Sequence, residues 1–162
     1  YYEKATSLIH DLIKHQPDQL IYLHTEIEID LASGRLSEAQ EKVTEMLRKS
    51  PNNYPLLVLH SEGLMKARKY EQSAEVLKLL CRTRPEDPNV WYRLAEVNGL
   101  AGNIAGVHKA RAEYFILVGA FDQARKQLTR ASNLLRSDFK QSAIIRQRLR
   151  DLAAIENGVM KL

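Results

Sequence analysis

The sequence predicts an all-α chain: a right-handed solenoid of stacked helix pairs, with one helix shared between two repeats and a C-terminal capping helix. Three observations carry this expectation. Pro17, Pro51 and Pro85 stand 34 residues apart. Ahead of each, small and apolar residues recur at spacings of 3 and 4, which trace one face of an α-helix. Between the prolines, Gly34 and Gly102 hold equivalent places, with Arg68 in that place in the middle copy. A fixed period of this length marks a repeat architecture, and it outranks any local reading.

Taken in order, residues 1–19 read as the second helix of a partial repeat, through Tyr2, Ala5, Ile9 and Leu12, stopped at Pro17. Residues 20–53 form a repeat whose second helix carries Leu36, Ala39, Val43 and Met46, and residues 54–87 another with Tyr70, Ser73, Leu77 and Leu80. Proline ends each unit because it lacks the N–H and disfavours helical geometry just before itself. Glycine ends the intervening helices because a helix commonly terminates through a left-handed residue. Residues 88–118 make the next repeat. There the spacing halves: Gly102 and Gly119 are only 17 apart, and "AFDQA" begins another second helix with Phe121, Ala124, Leu128 and Ala131. Residues 105–118 therefore serve in two repeats, 88–118 and 105–138, and "VHKARAEYFILV" is apolar over the wide arc such a helix needs. Residues 139–162 are expected to cap the stack through Ile145, Leu149 and Leu152, with a basic side at Arg146 and Arg150. Turns are expected near Pro17, Gly34, Pro51, Arg68, Pro85, Gly102 and Gly119. Arg111 falls where a large apolar residue belongs. Either it is buried beside an acid such as Glu96 or Asp122, or its stem packs while its head reaches water.

Composition narrows the function classes. The 162 residues, 44% hydrophobic and 27% charged, suit one domain with a real core. No apolar run approaches a membrane span. The chain opens on "YYEKATSLIHDLI", already amphipathic and without an initiator Met, so it is expected to be part of a longer protein. Cys81 is the single cysteine, and the five histidines are scattered with no H-E-x-x-H, so neither metal ligands nor cofactor ligands are expected here. No nucleophile elbow, P-loop or dinucleotide fingerprint occurs, and catalytic residues are expected to be none. Residues 1–104 hold 13 Lys/Arg against 15 Asp/Glu, whereas residues 105–162 hold 11 against 5. That basic end is either a solvated helix face or a surface for an acidic partner; without a reading motif, nucleic acid is not expected.

The helix–turn–helix unit of 34 residues, met best by "WYRLAEVNGLAGN" with Trp91, Leu94 and Gly102, resembles the tetratricopeptide repeat. The resemblance implies a ligand-binding concave face built mainly from each first helix. Carried onto this chain, that face includes His24, Glu28 and Leu31, then Val58, Glu62 and Met65, then Tyr92 and Glu96, then Lys109 and Glu113. Glu28, Glu62 and Glu96 stand 34 apart and Glu113 follows 17 later. Such a row of carboxylates suits a polypeptide with cationic or N–H groups; the alternative is that these residues only solvate the face.

The last third narrows the resemblance. "ARAEYFILVGAFDQA", residues 110–124, with "IYLHTEIEIDLASGRLSEA" at residues 21–39, is similar to the C-terminal part of the BepA-type periplasmic zinc metallopeptidases of Gram-negative bacteria. That likeness implies a parent whose zinc and protease activity lie in an N-terminal domain outside this sequence. The repeats would hold outer-membrane protein substrates, contact the assembly machinery and the parent's own protease domain, and act like a chaperone in the periplasm. The alternative is a non-enzymatic repeat adaptor in a cytoplasmic or envelope complex.

Overall fold

The computed structural model describes residues 1–17 and 19–158; Asp18 and the last four positions of the expected capping helix lie outside the described residues. Among the described residues the chain forms nine α-helices and no strand. They are α1 (Tyr2–His15), α2 (Leu20–Ser33), α3 (Leu36–Lys49), α4 (Tyr54–Lys66), α5 (Tyr70–Thr83), α6 (Pro88–Leu100), α7 (Ile104–Leu117), α8 (Phe121–Leu134) and α9 (Phe139–Glu156).

Two kinds of turn alternate along the chain. In one, a left-handed residue reverses direction: Gly34, Arg68, Gly102 and Gly119 have φ of 83°, 60°, 74° and 74°. Each of these turns closes with the same reach back, from the N–H of Arg35, Lys69, Asn103 or Ala120 to the carbonyl five residues earlier. This satisfies carbonyls that the helix end leaves unpaired. The second kind contains the prolines. The N–H of Ser50 and Arg84 returns to Met46 and Leu80, and the N–H of Asn53 and Asp87 then returns to Ser50 and Arg84. Residues 131–138 repeat that pattern, Leu135 to Ala131 and Asp138 to Leu135, although Arg136 stands where the proline would be. Proline enforces this turn but is not required for it. Side-chain caps open the helices that follow: Asn53, Asp87 and Asp138 accept from the backbone N–H of Leu56, Asn89 and Gln141.

The chain divides into two compact units, Tyr1–Val76 and Leu77–Leu162, with α5 running from the first into the second. In the first, α2, α3 and α4 close on Ile27, Leu31, Ala39, Val43, Leu56 and Leu59, flanked by Leu36, Met46 and Leu47. The column read on α3 thus faces inward, and Ala39 and Val43 have no exposure. The same column on α1 buries only Ile9; Tyr2 and Leu12 stay 46% exposed, since α1 packs against α2 on one side. An ionic cluster seals that side. Asp30, 2% exposed, accepts from Arg35 at 2.8 Å and Lys42 at 2.6 Å, and Lys42 also reaches Glu26. Burial works against the Lys42 ammonium, but the hydrogen bonds it donates to Asp30 and Glu26 hold its pKa above the usual lysine value.

In the second unit Ala112, Ile116, Ala124, Leu128, Ala131, Ile145 and Leu152 form the core. The shared helix behaves as its composition requires. α7 packs against both α6 and α8, and its buried residues, Val107, Ala110, Ala112 and Ile116, surround the axis. The Tyr114 ring lies against Tyr92 of α6 in a tilted pair, centroids 5.7 Å apart, while Phe115 packs into the core that α8 and α9 share. Arg111 is exposed, so the solvent-reaching alternative is the one found.

Candidate polypeptide-binding surfaces

In the first unit, the expected binding residues lie on α2 and α4. His24 is half-buried and its Nδ1 lies 3.5 Å from Glu28, which is exposed. Val58, Glu62 and Met65 are half-buried on α4, and Lys66 stands 3.9 Å from Glu62 across one helical turn. Leu31 departs from expectation. It is 4% exposed and belongs to the core, one turn beyond Ile27. Its methyl group lies so near Gly63 that a Cβ there would sit 3.1 Å from it. The 4-residue spacing from Ile27 was the signal that Leu31 shares the inward face.

In the second unit, Tyr92 is 60% exposed and Glu96 is exposed on α6. Lys109 and Glu113, one turn apart on α7, both reach α9. Lys109 Nζ donates to Gln141 Oε1 at 2.8 Å. Glu113 accepts two hydrogen bonds from Arg148, at 2.8 and 2.6 Å, the fork geometry that makes such pairs strong. Glu113 is therefore a structural anchor for α9, whereas Glu28 and Glu96 remain exposed. That pairing keeps the Arg148 guanidinium firmly protonated.

The α7–α9 contacts border a groove of about 720 Å³ that the end of α5, together with α6, completes. Trp91 and Leu94 contribute apolar surface from α6, and Ile144 and Ile145 from α9. The Trp91 indole donates to the Pro85 carbonyl at 2.8 Å, which fixes its ring at the rim. Lys78 and Arg82 project from α5. Burial, and secondly Lys78, lower the Lys109 pKa, and Asp138 opposes them in part. Cys81 also lines the groove, but burial and then Glu113 and Asp87 push its thiol up to about 12, so it carries no reactive thiolate at neutral pH. Sequence reasoning missed this groove, since one of its walls belongs to α9, which has no repeat partner.

Among the described residues, no three His, Cys, Asp or Glu side chains converge to hold a metal. Among those residues, too, no helix is long and apolar enough to cross a membrane.

Comparison with known proteins agrees with the repeat. The tetratricopeptide repeat family model matches residues 30–97. MamA, residues 41 to the end, from Desulfovibrio magneticus RS-1 superposes with a TM-score of 0.65 over 94% of this chain and 85% of that one, at 17% identity. The beta-barrel assembly-enhancing protease of Yersinia pestis is 31% identical over 81% of this chain. That of Escherichia coli (strain K12) is 25% identical over 96% of it. The matched segments make up 27% and 32% of those relatives. The chain is thus a tetratricopeptide-repeat solenoid, similar over most of its length to a part of the beta-barrel assembly-enhancing proteases.

Proposed function

We propose that this chain is the polypeptide-holding part of a periplasmic protease with chaperone-like activity in the quality control of outer-membrane β-barrel assembly. One observation carries the reading: nearly the whole chain matches proteases named for β-barrel assembly, through a helical repeat with no catalytic constellation in its sequence. Peptide-bond cleavage then belongs to a zinc-dependent domain outside these residues. What this chain supplies is a scaffold that buries its own core and leaves side chains of the first helices available to partners. Glu28, Glu62 and Glu96, spaced by the repeat, would accept hydrogen bonds from an extended or partly unfolded polypeptide.

The test is direct. A β-barrel outer-membrane protein diluted from urea should bind the purified chain and aggregate more slowly, without being cleaved. Replacing Glu28, Glu62 and Glu96 together by Gln should weaken that binding by roughly 1–3 kcal/mol, the worth of one or two charge-assisted hydrogen bonds. Failure of the chain to bind the unfolded barrel or delay its aggregation would remove the proposal. Unchanged affinity in the triple variant at low salt would assign the carboxylates to solvation alone.

A further inference from the structure

We propose that the groove between α5, α6, α7 and α9 receives a polypeptide segment in which carboxylates alternate with apolar side chains. The inference rests on the reading that the chain holds polypeptides, and it names the chemistry of one occupant.

The groove's own charges are unequal. Its lining acids are Glu113 and Asp151, and Arg148 answers both, the first through two short hydrogen bonds and the second at 4.0 Å. No other lining acid remains for Arg82 and Lys109. Lys109 donates to Gln141, a neutral amide, in a half-buried setting where an ammonium loses hydration. Asp138 acts on Lys109 through space, yet its carboxylate is engaged in capping α9 through the Gln141 N–H. An incoming carboxylate would supply an anion to Arg82 and Lys109.

The rest of the groove selects the context of that carboxylate. Trp91 lines the groove from α6 and Ile144, 49% exposed, lines it from α9, so apolar side chains flanking the acid would be taken out of water. The volume of about 720 Å³ lies within the usual range of ligand clefts. A plain polyanion would satisfy the cations and leave the apolar walls bare. A neutral apolar segment would do the reverse.

Trp91, the only tryptophan of the chain, lines the groove and reports on its filling. The experiment uses the full chain with a dye-labelled decapeptide of alternating Leu and Asp, and a second of alternating Leu and Asn. The Leu/Asp peptide should bind at least tenfold more tightly and shift the Trp91 emission. Arg82→Gln and Lys109→Met should each weaken it about fivefold or more, leave the Leu/Asn peptide unaffected, and keep the far-ultraviolet dichroism of helix. Arg82 is exposed, so its variant tests the idea even where Lys109→Met disturbs folding. Equal affinity for the two peptides, no binding of either, or wild-type affinity in both variants overturns the proposal. An unfolded barrel still held by a chain that ignores the Leu/Asp peptide would sink this inference and leave the proposed function standing. The converse pair of results would do the opposite.

Discussion

Arg68 has φ of 60°, and among the described residues the other positions with positive φ are all glycines. A side chain in that region costs roughly 1–2 kcal/mol through the crowding of Cβ against the backbone. Arg68→Gly removes that cost but also loosens the unfolded chain, an offset of about 0.4–1 kcal/mol. The net expectation is stabilisation by about 0.5–1 kcal/mol, read as a higher urea midpoint. Gly102→Ala should move the other way by about 1 kcal/mol or somewhat more. Its cost is purely conformational, because a Cβ there meets nothing within 4 Å. A lower midpoint for Arg68→Gly would mean that the Arg68 side chain contributes more than its backbone strain costs. Arg68 was legible because the 34-residue period placed it in a glycine column. Leu31 and Glu113 were not legible as found. A repeat fixes which helix a residue belongs to, but a neighbouring position on its face can turn inward, as Leu31 does. Glu113 is claimed by Arg148, 35 positions away, and no periodicity announces that pair.

At the scale of elements, α7 is the informative helix. The halved spacing of Gly102 and Gly119 made its double role readable, and the helix is accordingly apolar on more than one side. Tyr114 and Phe115 are adjacent in sequence yet serve different neighbours, α6 and the α8–α9 core. Truncating Phe115 to Ala should cost about 3 kcal/mol, the low end for a buried aromatic because the ring is only partly buried. In a linear stack each helix is stabilised by those beside it, so the loss should appear first in α8 and α9. Hydrogen exchange measures this: residues 121–156 should lose protection well before residues 20–66. Equal loss in both segments would contradict nearest-neighbour coupling. The element that resisted sequence reading is α9. Its burial of Ile145 and Leu152 follows from helical spacing, but the direction of Gln141 and Arg148 depends on how it lies against α7. With no second copy of α9 in the chain, there was no column to align it with.

At the scale of the whole molecule, the period established the class of fold, and the structure adds that each compact unit holds a buried cluster of its own. Ile27, Leu31, Val43 and Leu56 belong to one; Ile116, Leu128, Ile145 and Leu152 belong to the other. A repeat chain need not unfold as one cooperative block, since its stability is a sum of unit and neighbour terms. Trp91 lies within Leu77–Leu162, so its fluorescence reports that unit. Leu128→Ala should cost about 2–5 kcal/mol if the cavity stays open, and so lower the Trp91 urea midpoint strongly. Leu31→Ala, of similar cost, should strip exchange protection from residues 20–66 while moving the Trp91 midpoint much less. The two variants are matched in chemistry and burial, at 4% and 3% exposure, so a difference between them reflects location rather than the size of the lesion. Identical Trp91 shifts for the two would show that α5, continuous through both units, transmits stability completely. In that case the chain would unfold as a single block, and a ligand held in the groove beside Trp91 would stabilise residues 20–66 as much as its own unit.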